Sequence, residues 1–456
     1  MKRLGKISLI LIALILVSSC FFGCEHVHNY QLDSIIVENE LMPREGVFKC
    51  KCGDVINKSI EFKDINLPIL EINGDISKMT KENKVTVSVI YTDKKTSFES
   101  DATLKWQGAT SLTYPKKNYN IQFLKKGSSD KNKVLLNDDW GKQSKYCLKA
   151  NYVDFSHSRN IVSGQLYNEI VKSRDINDEI SKVPNGGAVD GYPIIIFING
   201  SYQGLYTLNI PKDKWMFDMD DHEEGEEPVI KHALIMADQW GGTNLSAPIT
   251  NDYASFGFEL EHCSTEDTIG DEWVVDSFND MIYFVINNNG YAFRNGITQY
   301  VNLERTIDSM IFSWFIQGYD NLAKNILWTT YDGVHWYSSM YDMDGTWGMY
   351  WSGKSYSSPE NPFLDAFSRN KLWSKIYDNF KTEFKDRYLE LRKSVLSYKN
   401  IEKRFSEFTS KIPKIMFNTE VQKWPDLPSK DTSNLDQILS FTKERIIALD
   451  TVINTI

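Results

Sequence analysis

Cysteine is scarce in this chain, with six among 456 residues. Cys147 and Cys263 stand alone in the sequence and read as buried or unpaired thiols. Histidine is nearly as rare, and His157, His262 and His335 show neither triad nor metal spacing. An excess of positive charge is missing. Lys and Arg number 51 against 61 Asp and Glu, and the net charge of −10 argues against a nucleic-acid partner. Past the first twenty residues no stretch is apolar enough to span a bilayer. No internal repeat is present.

The first twenty residues read as an export signal. Lys2, Arg3 and Lys6 give a positive start, and residues 7–17 are an apolar run too short for a comfortable membrane span. The run ends in Val17-Ser18-Ser19-Cys20, which resembles the bacterial lipobox. On that reading Cys20 is acylated and becomes the first residue of the mature protein, lipid-anchored to the cell membrane and facing the extracellular side. A plain cleaved signal peptide is the alternative. The remaining length suits one large domain or two ordinary ones. An aromatic content of 13% supports a sizeable core.

Residues 21–66 are polar and read as a tether with a small knuckle. Cys24, His26, His28, Cys50 and Cys52 cluster there, with Cys-Lys-Cys-Gly at residues 50–53. Thiolate and imidazole suit structural Zn²⁺. A disulfide is the alternative in an exported protein. A folded domain is expected over 67–370, and a helical C-terminal region over 371–456.

Within the domain the periodicities alternate between strand and helix. Val85, Val87 and Val89 mark a half-buried strand, as do Tyr119, Ile121 and Phe123. Val162, Leu166 and Ile170 line one face of a helix over 156–173. Residues 193–198 are an apolar run typical of a central strand. Asn199-Gly200 then predicts a hairpin, because both turn positions need positive φ. Residues 213–227 are an acidic insert that reads as a solvated loop. Helices are expected over 272–288 and 303–317, with Leu303, Ile307, Met310, Ile311 and Trp314 as a core stripe. Leu372, Ile376, Phe380 and Phe384 recur every four residues, and a closing helix carries Leu435, Ile438, Leu449 and Val452. Pro413, Pro425 and Pro428 break the region between them. The class is α+β, a mostly β part followed by a mostly α part.

One constellation carries chemistry. Asp320 and Asn325 lie four residues apart in the count between them. A hairpin over 326–341, turning at Asp332-Gly333, follows, and Asp342-Met-Asp-Gly-Thr-Trp-Gly348 comes directly after. This is the layout of a kinase catalytic centre. Phosphoryl transfer needs a carboxylate to orient the attacking hydroxyl, and an Asn and an Asp to hold the metal. Asp342 and Asp344 alone would read equally as a turn or a calcium loop.

Five blocks in order resemble the spore coat protein H (CotH) kinase-like family. They are Pro115-Lys-Lys-Asn-Tyr-Asn-Ile-Gln-Phe123; Leu148-Lys-Ala-Asn-Tyr-Val-Asp154 with Ser158-Arg159-Asn160; Asn199-Gly-Ser-Tyr-Gln-Gly-Leu-Tyr206; Asp320-Asn321 with Asn325; and Tyr341-Asp-Met-Asp-Gly-Thr-Trp-Gly348. The resemblance implies an atypical protein-kinase-like two-lobed fold. It also implies phosphoryl transfer from ATP to protein Ser/Thr with Mg²⁺ or Mn²⁺. Asp320 would orient the hydroxyl. Asn325 and Asp342 would hold the metal, with Asp344 as the alternative or second ligand. Lys116, Lys117 or Lys149 would reach the nucleotide phosphates, and Arg159 and Asn160 match a supporting pair. Two departures stand out. Gln107-Gly108-Ala109-Thr110-Ser111 lacks the family's usual Arg. Asn209-Ile210-Pro211 lacks a Glu that would pair with the phosphate-binding Lys, for which Asp213 is a nearby substitute.

Two other readings follow. A kinase-like surface protein with impaired catalysis would act as a binding or scaffold module for a protein partner. A calcium-stabilised carbohydrate-binding protein fits Asp342, Asp344 and the many Trp and Tyr. The lipobox reading is checked by metabolic labelling with a fatty acid. The expected outcome is label on the wild-type chain and none on Cys20→Ala.

Overall fold

The computed structural model describes residues 27–36, 44–240, 243–355, 364–429 and 434–456. The signal segment, Cys20, Cys24 and His26 lie outside the described residues. The architecture is α+β. Among the described residues no helix is long and apolar enough to cross a membrane.

A closed barrel of seven strands forms the first part, in the order Lys145–Lys149, Ser201–Asn209, Gly191–Ile198, Ile69–Asn73, Val85–Thr92, Ser97–Gln107, Asn118–Leu124. Neighbours run antiparallel except Gly191–Ile198 beside Ile69–Asn73. Closure removes the exposed edges that an open sheet would leave. Val87, Val89, Ile121 and Phe123 point inward, as their alternation requires, and Ile194 to Phe197 are buried throughout. Asn199 and Gly200 turn the hairpin at φ +49 and +79. The helix Arg159–Lys172 buries Val162, Leu166 and Ile170.

The second part starts beyond Pro211. A short turn at Lys214–Phe217 buries Met216 and Phe217, and the rest of the acidic insert is loop. A four-stranded antiparallel sheet follows, ordered Phe258–Cys263, Ala233–Ala237, Ile326–Thr330, Tyr337–Met340. The helix Leu303–Phe315 packs on its Tyr337–Met340 edge. Asn302 caps that helix by accepting from the Arg305 N–H at 3.0 Å.

Both flanking regions are built into this fold. Tyr30–Ile35, Glu45–Cys50 and Val55–Ser59 form an antiparallel sheet, and Ile35, Phe48 and Ile60 join the main core. Residues 44–66 are therefore docked structure rather than a free tether. The helices after residue 370 share the same core. The expected helix through Leu372 and Phe384 is two helices, Lys371–Asn379 and Lys381–Arg392, meeting at Phe380. Between Pro413 and Pro425 lies a further helix, Lys414–Lys423, which the prolines bound instead of excluding. The closing helix Leu435–Ile453 buries Ile438, Phe441 and Leu449.

A buried ion network ties these helices together. Asp308 accepts from Arg174 Nε at 2.8 Å and Arg387 Nε at 2.7 Å. Arg305 meets Asp178 at 2.8 Å. Removing one partner of such a network leaves an uncompensated buried charge, at a cost of about 3–5 kcal/mol. Asp308→Ala is expected to lower stability by about that amount, read as a drop in the denaturant midpoint.

Candidate functional site

The site grows from the end of the Leu303–Phe315 helix. Gln317 leaves it at φ +55, and Asp320 follows in a single short turn. Trp240 Nε1 donates to Asp320 Oδ1 at 3.3 Å, and Lys324 Nζ lies 3.1 Å from Asp320 Oδ2. These two contacts fix the carboxylate from opposite oxygens.

Asn325 opens the hairpin at φ +56. Its N–H donates to Ala237 O at 2.7 Å, and its carbonyl accepts from the Tyr341 N–H at 2.9 Å. The register Ile326 to Met340 therefore brings Asn325 beside the start of the Asp342 segment. Asn321 Nδ2 also donates to Tyr341 O at 2.8 Å. Asp342 turns the chain off the strand at φ +55, a conformation Asp bears at low cost.

The 342–347 loop is held from behind by the Arg159–Lys172 helix. Met343 N–H donates to Asn160 Oδ1 at 3.0 Å. Arg159 Nε donates to Thr346 O at 3.0 Å, while its NH1 reaches Asp154 Oδ1 at 2.6 Å and its NH2 reaches Gln437 Oε1 at 2.6 Å. Trp347 Nε1 donates to Ser163 Oγ at 2.8 Å. Arg159 and Asn160 thus act as positioning residues for the acidic loop.

One pocket results, lined by Tyr319, Asp320, Asn321, Asp342, Asp344 and Tyr350 among others. Asp320, Asp342 and Asp344 meet there. Asn325 is buried at the hairpin base, and Asn321 takes the lining position. Lys149 Nζ lies 3.5 Å from Asp342 Oδ1 and 5.4 Å above the Tyr341 ring. Burial pushes the Asp344 carboxyl well above the usual range, and the neighbouring Asp342, Asp154 and Asp320 push the same way. Burial alone would lower Lys149, but Asp342, Tyr341 and Asp344 hold it raised. Carboxylate oxygens such as those of Asp342 and Asp344 are hard donors of the kind that suits Mg²⁺ or Mn²⁺.

The three candidate lysines separate. Lys149 alone of them meets the acidic pocket. Lys116 is buried in an ion pair with Glu420, donates to Ala150 O at 2.9 Å and to Leu205 O, and lies 4.5 Å over the Tyr206 ring. Lys117 donates to Leu112 O at 2.7 Å and to Tyr114 O. Asp213 pairs with Lys145 at 3.0 Å, not with Lys149.

Some groups escaped the sequence reading. Glu420 comes from a helix with no chemical motif, so no signal marked it. Asn321 sits inside the quoted Asp320 block and was legible in principle. The Tyr341 hydroxyl, Gln107 Oε1 and both polar side-chain atoms of Asn209 are buried without a hydrogen-bond partner among the described residues. Gln107 Nε2 lies 3.4 Å from Cys147 Sγ, and Cys147 faces Asn209 across the strands. The orphaned groups thus surround Cys147, two residues before Lys149. Of the Cys/His cluster, His28, Cys50 and Cys52 come together, with their ligand atoms all within 4.8 Å of one another.

The family model described as CotH kinase protein matches residues 104–449. The match covers the barrel from the Ser97–Gln107 strand onward, the acidic pocket and the helices beyond residue 370. No curated protein matches the chain.

Asn160→Ala removes the acceptor of a buried backbone N–H, for which the cost is about 1–3 kcal/mol. The expected result is a loss of stability of that size in denaturant unfolding. Lys117→Ala, whose partners are carbonyls at its own turn, is expected to cost less than about 1 kcal/mol.

Proposed function

The chain belongs to the CotH kinase protein family, and from that premise we propose that it is a metal-dependent phosphotransferase with a kinase-like, two-lobed fold. ATP is the donor and a protein Ser or Thr hydroxyl the acceptor. The barrel is the first lobe, and the four-stranded sheet with its helices is the second. The observation that carries this reading is the convergence of Asp320, Asp342 and Asp344 on one pocket with Lys149 at its rim.

Asp342 and Asp344 are the residues that would hold Mg²⁺ or Mn²⁺, with Asn325 or Asn321 as an amide oxygen beside them. A divalent cation bound there supplies charge neutralisation across the phosphates. Lys149 adds a point charge toward the same phosphates, released from Asp342 as the nucleotide arrives. Asp320, oriented by Trp240 and Lys324, aligns the acceptor hydroxyl and takes its proton as the oxygen attacks the γ-phosphorus and ADP leaves. Tyr319 and Tyr350 wall the pocket and restrict water.

A lipobox ending at Cys20 supports an extracytoplasmic, lipid-anchored setting. That setting favours a second reading, since ATP is scarce outside a cell. In it the chain is a catalytically impaired binding module on the same scaffold. A specific observation supports it too. Kinases pair the phosphate-binding Lys with a Glu, whereas Lys149 is paired with Asp342, itself a would-be metal ligand.

Calorimetric titration of ATP with Mg²⁺ and then Mn²⁺ separates the two. Phosphotransferase function predicts metal-dependent binding that Asp342→Ala abolishes. Asp320→Ala should keep that binding and lower transfer by about 10²–10⁴-fold. Absence of nucleotide binding by the folded wild type would overturn ATP-dependent transfer and favour the binding-module reading.

A further inference from the structure

We propose that His28, Cys50 and Cys52 form a structural zinc site that staples the first strand to the tip of the following hairpin. This site lies on the Tyr30–Ile35, Glu45–Cys50, Val55–Ser59 sheet, outside the acidic pocket and outside the matched residues 104–449.

Geometry is the first argument. Zinc lies about 2.3 Å from sulfur and about 2.0–2.1 Å from nitrogen, so tetrahedral S and N ligands sit about 3.5 Å apart. Cys52 Sγ is 3.4 Å from His28 Nδ1. The remaining ligand-atom separations are all within 4.8 Å. The three residues thus already stand near the corners of one coordination tetrahedron.

Chemistry is the second. The two cysteines are thiols, Cys50 buried and Cys52 exposed. Two thiolates and an imidazole select zinc over the hard cations Mg²⁺ and Ca²⁺. Two sulfurs held together without a metal would repel once ionised, so a divalent cation at their centre relieves that repulsion.

The scaffold is the third. Cys50 N–H donates to Asp54 O at 2.8 Å, and Gly53 N–H donates to Cys50 O at 2.9 Å. Gly53 sits at φ +96, where a Cβ would be strained, and this tight turn presents both sulfurs on one side. The Asp54 backbone N–H faces the Cys52 sulfur, as outer hydrogen bonds to thiolate ligands do. Tyr30 donates to the Asp54 carboxylate and stacks on His28 at 5.3 Å, which orients the imidazole. Asp54 Oδ2 lies 3.7 Å from His28 Nδ1, beside the three-ligand group and outside it. The hairpin is anchored in the core through Phe48 and Ile60, so the turn is rigid before metal arrives.

The test is metal analysis of the full chain, purified under thiol reductant and exchanged out of free zinc. The wild type is expected to retain stoichiometric zinc, and Co²⁺ in its place to give the near-ultraviolet thiolate-to-cobalt charge-transfer band. Cys52→Ser and His28→Ala are exposed-position changes expected to leave the fold intact, checked by circular dichroism, and to lose the zinc and the band. The double variant Cys147→Ser with Cys263→Ser should keep both. A zinc-free reduced wild type at micromolar free zinc would overturn the proposal. So would undiminished zinc in Cys52→Ser, or thiol titration finding Cys50 and Cys52 oxidised in freshly isolated protein.

Discussion

A single buried guanidinium organises the acidic pocket. Arg159 is fully buried, yet it meets Asp154 beside its own helix, Thr346 on the acidic loop and Gln437 on the closing helix. A buried cation is costly unless its charge is paired and its donors are used. Here the pairing partner, Asp154, precedes it by five residues, so the ion pair forms locally. The remaining donors then reach parts of the chain far apart in sequence. The bidentate reach that Arg has and Lys lacks explains why this position takes Arg. The consequence is that the acidic loop cannot shift without leaving a buried guanidinium N–H unsatisfied. That is the rigidity a charge-dense pocket requires.

The lysines divide along the same lines. Lys149 ends the Lys145–Lys149 strand, Lys116 lies in the bend just before the neighbouring Asn118–Leu124 strand, and both are buried. Burial alone lowers Lys116, although Glu420 works against it. Lys149 is instead held raised by the carboxylates across the pocket. One lysine is thus consumed in joining the barrel to the Lys414–Lys423 helix, which also caps the Leu205 N–H through Glu420 at 2.8 Å. The other keeps its charge at the pocket rim. The barrel and the C-terminal helices therefore share one buried core.

Much of this was legible from the sequence, and the failures have physical causes. The barrel strands read correctly where one face is buried, because alternation then follows burial, as at Val85 to Val89. The Asn199-Gly200 turn read correctly because its chemistry is local. That Asp320, Asp342 and Asp344 come to one pocket follows from their spacing, since the hairpin returns the chain to its start. Which of Lys116, Lys117 and Lys149 lies beside Asp342 depends on contacts between distant parts of the chain, a long-range property that local pattern does not carry. Glu420 was invisible for the same reason: a single Glu on an amphipathic helix carries no mark of its partner 304 positions away. The break at Phe380 was missed because both helices place apolar residues at a four-residue repeat, so the period runs through the joint.

The backbone around the pocket is bent in a consistent way. Gln317, Asn325, Asp342 and Trp347 all adopt positive φ without being glycine. Such residues persist only when surrounding contacts over-determine them, and they concentrate where a chain must aim side chains rather than propagate an element. Each of the four has such a contact. Asn325 is held by Ala237 O, Trp347 N–H by Ile316 O at 2.8 Å, and Asp342 by neighbours on either side, Tyr341 through Asn325 and Met343 through Asn160. Gln317 is locked as Gly318 N–H returns to Ser313 O at 2.9 Å. Asp320, Asp342 and Asp344 line one pocket, with Lys149 beside Asp342 and Lys324 beside Asp320. Burial first, and then the neighbouring Asp342, raises the Asp344 carboxyl, a cost the pocket carries. A fold concerned only with stability would replace one of these carboxylates. Arg159 and Asn160, reaching Thr346 O and the Met343 N–H from behind, hold the acidic loop in place against that cost.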